Sequence, residues 1–570
     1  MFASLPHTAT EFMAWSWDRI EPYYQELLDR RLEVNNVTQW LSDWTRLADL
    51  LNEVYTQLNV AVTQDTTDKA AEARYNAFLD GIFPAFQSAD QKLKVKLLAS
   101  GLEPEGLEIP LRKMRAEAEI YCTENLPLLT EERKLASAYN KLIGAQTVVW
   151  EGEERTLQQM RPVFYTADRS VRERAWRLAA GRQSADRQAI NNLWGKLLHL
   201  RVRLAHNAGR PDYRSFRWQQ MLRLDYTPED CLQFQQAIEE VVVPAATRVY
   251  DRHCRRLGVE TVRPWDLDQD LYPLYLPGLP TYGGVAELHR TAETIFYQVD
   301  PQLGDYFHLM RSENLLDLEN RRGKAPGGYC TYFPVARRPF IFMNAVGLAD
   351  DVRTMLHEAG HAFHNFERGM LAYAQQRNPG LEFSEVASMA MELLASPYLA
   401  AGEGGYFSEA DASSFRISHL EHILIFWPYM AVVDAFQHWV YEHPDLASDP
   451  ASCDMEWMAL SQRFIPGVDW SGLEEELMTG WHRKQHIHRY PFYYVEYGVA
   501  QLGAVQVWQN ALNDRTAAIE HYRQALRLGG TASLPELYQA AGAKFAFDAV
   551  TLRAAVEQVE AAIRRELWNT

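Results

Sequence analysis

Apolar residues recur at three- and four-residue intervals along most of this chain, the spacing of amphipathic helices. VTQWLSDWTRLADLLNEVYTQL (37–58), LWGKLLHLRVRLAHNAG (193–209) and IEHYRQALRLGG (519–530) each gather their apolar side chains on one face. The last ends on Gly529-Gly530, a common helix stop. Ser533, with Glu536 three residues on, has the form of a capping box that opens the next helix. Strand patterns are few. TVVWEGEERTL (147–157) predicts a short hairpin with Gly152 near its turn, RPFIFMN (338–344) predicts a strand, and GKAPGGYCTYFP (323–334) predicts a glycine-rich turn followed by a short strand. The pattern is that of a mainly α protein with a small β-sheet. No internal repeat, low-complexity tract or long linker interrupts it. The expected division is an N-terminal helical region, residues 1–190, and a larger region, residues 191–570, that carries the chemistry.

Composition narrows the choice. The chain has 570 residues, of which 47 % are apolar, so it can bury a sizeable core; its 16 Trp and 28 Tyr are read first as part of that core. A formal net charge of −18 argues against a nucleic-acid partner, which needs a basic surface. The five cysteines are scattered and show no C-x-x-C spacing, which fits a reducing cytoplasm and argues against a cysteine zinc site. The first residues, MFASLPHTATEFMAWSW, lack a basic segment followed by an apolar one, so no signal peptide is expected. No run approaches 18 uninterrupted apolar residues, so no membrane span is expected either.

The chemistry concentrates in TMLHEAGHAFHNF (354–366). His357 and His361 lie one helical turn apart on one face and can bind a single zinc ion. Glu358 follows the first histidine and can approach a metal-activated water without ligating the metal, the H-E-x-x-H arrangement of zinc peptidases. Ala359 and Gly360 permit close approach of another segment. His364 has nearly the angular position of His357 but lies about 10 Å along the axis, too far to share its ion, and is expected to pack or to support. Catalytic zinc usually takes a third protein ligand. The helix predicted for LEFSEVASMAMELLASPYL (381–399) offers Glu385 and Glu392, seven residues apart on one face, and Glu382 near its start. One of the first two can ligate while the other orients a histidine, and spacing does not separate them.

HEAGHAFH followed by FSEVASMAMEL resembles the oligoendopeptidase F branch of the thimet oligopeptidase and oligoendopeptidase F family of zinc metallopeptidases. KAPGGYCTYFP, PFIFMNAVGLADDVRTMLHEAGH, PFYYVEYGVAQLGAVQVW and GGTASLPELYQAAGAKF are similar to family segments as well; the N-terminal part agrees only in helical character. The resemblance implies a two-lobed helical body with a deep substrate channel and one zinc ion per chain at its floor. It implies His357, His361 and Glu385 as metal ligands and Glu358 as general base and acid. It further implies a zinc-dependent oligoendopeptidase that acts on short unfolded peptides; the cysteines, charge and hydropathy add the expectation of a cytoplasmic protein with no nucleic-acid or membrane partner, and the oligomeric state stays open.

The resemblance also implies that a histidine and tyrosines within HRKQHIHRYPFYYVEYG (482–498) reach the substrate. His486 with Tyr494 and Tyr497 is the favoured set; His488, Tyr490 and Tyr493 are further substrate-side candidates. Gly327, Gly328 and Tyr329 are expected to run along an extended peptide as an added strand does. Two alternatives stand beside this reading: a metallocarboxypeptidase of the same architecture, and an inactive peptide-binding relative.

Overall fold

The computed structural model describes residues 1–268, 271–272 and 282–569, and it is mainly helical. Packing gathers the chain into two compact units, each built from three separated segments: Met1–Ala118, Leu279–Ala412 and Gly503–Phe545, then Glu119–Gly278, Ser413–Leu502 and Ala546–Thr570. The linear division after residue 190 falls inside the helix Arg187–Asn207. It is not a packing boundary, because the chain leaves and re-enters each unit.

Five short strands occur among the described residues. In the second unit, β1 (Thr147–Trp150) and β2 (Glu153–Thr156) form the antiparallel hairpin expected there. Its two turn residues, Glu151 (φ 52°) and Gly152 (φ 87°), both have positive φ, as the tight turns that match strand twist require. In the first unit, β5 (Arg338–Ala345) runs between β3 (Leu316–Glu319), to which it is parallel, and β4 (Tyr329–Phe333), to which it is antiparallel. Phe340, Ile341, Phe342 and Met343 are all buried, so β5 is covered on both faces. Phe340 and Phe342 pack with Val60 of the long helix Val37–Gln64. That helix also carries Trp40 and Trp44, fully buried, whose indole N–H groups donate to the Leu27 carbonyl at 2.9 Å and to Asp90 Oδ1 at 2.8 Å. The aromatic excess in this part of the chain is therefore core.

The H-E-x-x-H residues lie on the helix Ala349–Arg368, the motif helix, which packs on β4 and β5. Asp351 fixes its start. One carboxylate oxygen, Oδ2, accepts the N–H groups of Val346, Gly347 and Leu348 at 2.8–2.9 Å and the Tyr282 hydroxyl at 2.7 Å. The negative charge faces the positive end of the helix dipole. Ser533 and Glu536 form the expected capping box.

One described helix, Glu409–Glu442, is long and apolar enough to cross a membrane; 94 % of its most apolar window is buried inside the fold, which makes it a core helix.

Among the buried histidines of the second unit, His253 and His482 are held as neutral rings. His253 contacts the Asp266 carbonyl through Nε2 at 2.9 Å and Arg256 through Nδ1 at 2.6 Å, and burial holds its pKa down to about 4. His482 contacts Asn191 Oδ1 at 2.7 Å, and burial holds it down to about 3. Between pH 6.5 and about 4 the unfolded chain binds more protons at His253 than the folded one does, so stability falls as pH falls through that window. The loss is on the order of 3 kcal/mol for a histidine displaced this far. Denaturant midpoints recorded from pH 7.5 to 4.5 should decline, and His253→Asn should flatten the decline. A variant as acid-sensitive as the wild type would contradict the assignment.

Candidate metal centre and active site

The motif helix crosses the helix Leu381–Ala395 in backbone contact. Gly360 makes this crossing possible: a Cβ there would stand 2.6 Å from the Ala387 carbonyl oxygen and 2.6 Å from Ser388 Cα. Neither neighbour is the end of a flexible side chain, so the helices would have to separate. Gly360→Ala should therefore cost about 3 kcal/mol in stability, at the upper end for overpacking, and should lower metal affinity because the donors move apart. A variant with unchanged melting temperature and metal content would show that the crossing is not this tight.

The crossing brings three donors together. Glu385 Oε2 lies 3.5 Å from His357 Nε2 and 3.6 Å from His361 Nε2. The three ligand atoms all fall within 4.8 Å of one another. Ser388 Oγ donates to Glu385 Oε2 at 3.1 Å and steadies that carboxylate. On the far side of the first ring, His357 Nδ1 meets Glu392 Oε1 at 2.7 Å. The two glutamates that share a helix face thus divide the work: Glu385 points at the Nε2 atoms and Glu392 at the opposite ring nitrogen. That outer contact fixes the tautomer leaving Nε2 as the donor.

Electrostatics follow from this crowding. Burial lowers the pKa of His357, but its contacts with Glu385 and Glu392 outweigh burial and raise it well above the ordinary histidine value. Burial dominates at His361 and brings it down to about 4. At Glu385 burial acts upward, and His361 and His357 more than reverse it. Glu358 is buried between the motif helix and the glycine turn; burial lifts its carboxyl to about 7, with the charges of Glu385 and Glu392 acting in the same direction and His357 opposing. Its Oε2 has no hydrogen-bond partner among the described residues. A buried oxygen left open beside three converging donors is what an ion and a water molecule would satisfy, so the residues present fit a zinc-type ion.

His364 is buried, packs edge-on against Phe383 with ring centroids 6.1 Å apart, and stands outside the three-donor group. Gly327 (φ 96°) and Gly328 turn the chain into β4 beside Glu358: a Cβ on Gly328 would lie 3.7 Å from Glu358 Oε1. Asn344 Nδ2 holds the turn by donating to the Ala325 and Gly327 carbonyls at 2.8 Å. Tyr329 stacks on Phe342 and shares a 2.6 Å hydrogen bond with the Thr63 hydroxyl. β4 is an edge strand of its sheet.

The remaining candidates lie in the second unit. His486 is ringed by tyrosines, with centroids 4.6 Å from Tyr494, 6.2 Å from Tyr493, 6.4 Å from Tyr497 and 6.5 Å from Tyr490. Lys484 Nζ donates to the Tyr494 hydroxyl at 2.9 Å and sits over the Tyr494 and Tyr429 rings. His488 lies elsewhere: it is fully buried, stacked on Tyr139 at 4.4 Å and edge-on to Trp194. Burial holds it well below the ordinary histidine value, and it is a core residue of this unit.

Sequence reasoning missed what holds this segment in place. Arg201, fully buried, donates to the Ile487 and His488 carbonyls at 3.0 and 2.6 Å and to Glu132 at 2.7 Å. Arg217 Nε donates to the Pro491 carbonyl at 3.1 Å, and Arg223 donates to the Phe492 carbonyl and to Glu496 Oε1. Phe492 takes φ 63°, uncommon for a residue with a side chain, and its N–H is held by Gln437 Oε1 at 2.7 Å. The available signal was Arg201 itself, four residues after Leu197 and four before Ala205, in register with the apolar face.

A mainly helical protein with an H-E-x-x-H helix crossed by a glutamate-bearing helix has the makings of a metallopeptidase. Comparison with known proteins gives the family. Residues 163–557 match the profile of Peptidase family M3, and residues 9–110 match that of the Peptidase M3 N-terminal domain. Group B oligopeptidase PepB of Streptococcus agalactiae serotype III (strain NEM316) is 20 % identical over 553 residues, 90 % of this chain and 86 % of that protein. Oligopeptidase PepF of Bacillus subtilis (strain 168) is 22 % identical over 280 residues, 47 % of this chain; the match spans only 40 % of PepF. A solved structure bearing the name oligoendopeptidase F superimposes with a TM-score of 0.85 at 28 % identity, covering 99 % of this chain and 98 % of that one. The chain belongs to peptidase family M3, on its oligoendopeptidase F branch.

Proposed function

We propose that the protein is a zinc-dependent oligoendopeptidase of the cytoplasm that hydrolyses internal bonds of short, unfolded peptides. The observation that carries this reading is the convergence of His357 Nε2, His361 Nε2 and Glu385 Oε2 beside a buried Glu358 whose Oε2 has no partner among the described residues. His357, His361 and Glu385 would hold one ion. When bound, zinc supplies Lewis-acid polarisation of the scissile carbonyl and acidifies a water.

Glu358 takes the proton from the attacking water and returns it to the leaving amine; burial keeps its carboxyl near neutrality, where a group can both accept and release a proton. Glu392 orients His357 through Nδ1. The peptide lies extended beside Gly327–Tyr329, pairing with the free edge of β4. His486, Tyr494 and Tyr497 serve the substrate by donating hydrogen bonds to oxygen as it gains charge. Their clustering around one histidine, and the resemblance of their segment to the family, support this assignment.

Mass spectrometry of products from a mixed peptide library that includes end-blocked peptides, with and without chelator, tests the reading. Internal cuts in blocked peptides that stop when chelator is added are expected. Removal of residues only from free C-termini would make it a carboxypeptidase, and binding without cleavage would make it an inactive relative.

A further inference from the structure

We propose that Cys231, Asp434 and His438 form a second metal site, for a zinc-type divalent ion, in the interior of the second unit. Asp434 and His438 lie one turn apart on the helix Glu409–Glu442. Cys231 and Gln235 lie one turn apart on Pro228–Ala237, which faces it. A thiol sulfur, a carboxylate oxygen and an imidazole nitrogen from these two helices all fall within 4.8 Å of one another. Each of the three residues is at least 99 % buried, and Cys231 is in no disulfide.

Three features point to an ion rather than to ordinary packing. The first is the state of the polar atoms: Asp434 Oδ1 and both ring nitrogens of His438 have no hydrogen-bond partner among the described residues, although His438 Nε2 stands 3.4 Å from Asp434 Oδ2. Buried polar atoms are rarely left that way. The second is the outer contact. Gln235 Nε2 donates at 2.7 Å to Asp434 Oδ2, the oxygen that also faces His438 Nε2, and this fixes the carboxylate with Oδ1 still open, as outer contacts do for ligating carboxylates. The third is charge. A thiolate and a carboxylate balance a divalent ion, so the filled site is neutral and suits a core that the Trp218 and Phe492 rings close at 5.8 and 5.2 Å from the His438 ring. Mixed sulfur, nitrogen and oxygen donors select a borderline ion such as zinc over calcium or magnesium. Binding releases the thiol proton to solvent and changes no oxidation state.

The site has a structural consequence. Gln437, the neighbour of His438, holds the Phe492 N–H. An ion joining the two helices would fix the turn from which the segment bearing Tyr493, Tyr494 and Tyr497 departs.

Cobalt separates the two centres, because the peptidase site has no cysteine ligand and the second site does. The protein is produced in cobalt-containing medium, and metal content and absorption are measured. We expect two cobalt equivalents per chain and a thiolate-to-cobalt charge-transfer band in the near ultraviolet. Cys231→Ser should lose the band and one equivalent. A double variant, His357→Ala with His361→Ala, should lose one equivalent and keep the band, so failure at the peptidase centre is distinguishable from failure here. Wild-type protein with no thiolate band, or a band that survives Cys231→Ser, overturns the proposal. Should Cys231→Ser not fold, the wild-type spectrum and stoichiometry decide by themselves.

Discussion

Glu358→Gln is expected to take up zinc and to lose turnover by a factor of about 1,000 or more, within the range for removal of a positioned acid–base group. The amide has nearly the shape of the carboxylate, so the packing around Gly328 and the motif helix is undisturbed and the metal donors stay where they are. What disappears is the capacity to hold a proton. Burial lifts the Glu358 carboxyl to about 7, and its Oε2 has no hydrogen-bond partner among the described residues, both of which suit the proton-transfer role proposed for it. Turnover of a fluorogenic peptide and zinc content by elemental analysis measure the two halves of the expectation separately. A variant within tenfold of wild type would remove Glu358 from the proton-transfer role; a variant that loses zinc would make it a metal-site residue instead.

The second large effect separates two glutamates of one helix. Glu385→Ala should reduce zinc content to background and abolish turnover, because it deletes one of three donors and leaves His357 and His361 as an incomplete site. Glu392→Ala should keep zinc, with affinity or activity reduced about 10- to 100-fold, the usual cost of losing a residue that orients a ligating histidine. If Glu392→Ala is the variant that loses zinc, the roles are reversed.

This pair also shows where sequence reading stops. Both glutamates fall on one helix face by spacing, and nothing local tells them apart. The angle at which one helix crosses another at Gly360 puts one carboxylate against the Nε2 atoms and the other against Nδ1, and that angle is a tertiary property. Features written in neighbouring residues were legible: the hairpin around Glu151-Gly152, the strand ahead of the motif, the capping box at Ser533, the small residue between the histidines. Features joining distant segments were not. β3 gives a weak pattern because it is four residues long, and it is a strand only because β5 runs beside it. Arg201, Arg217 and Arg223 read as ordinary charged positions, and only the folded chain shows that they hold the carbonyls of residues 487–492. His488 and His486 look equivalent two residues apart, yet the first enters an aromatic core and the second meets four tyrosines. Cys231 and His438 lie more than 200 positions apart in sequence, so no motif could announce them.

Cleavage of an internally quenched peptide with both ends blocked, followed through removal and return of zinc, tests the proposed peptidase activity most directly. Internal cleavage by the purified protein, its loss on chelation and its recovery when zinc is restored are expected, with Glu358→Gln inactive at every stage although it takes up zinc. Cleavage that persists after the metal has been stripped, or that Glu358→Gln performs as well as wild type, would contradict it.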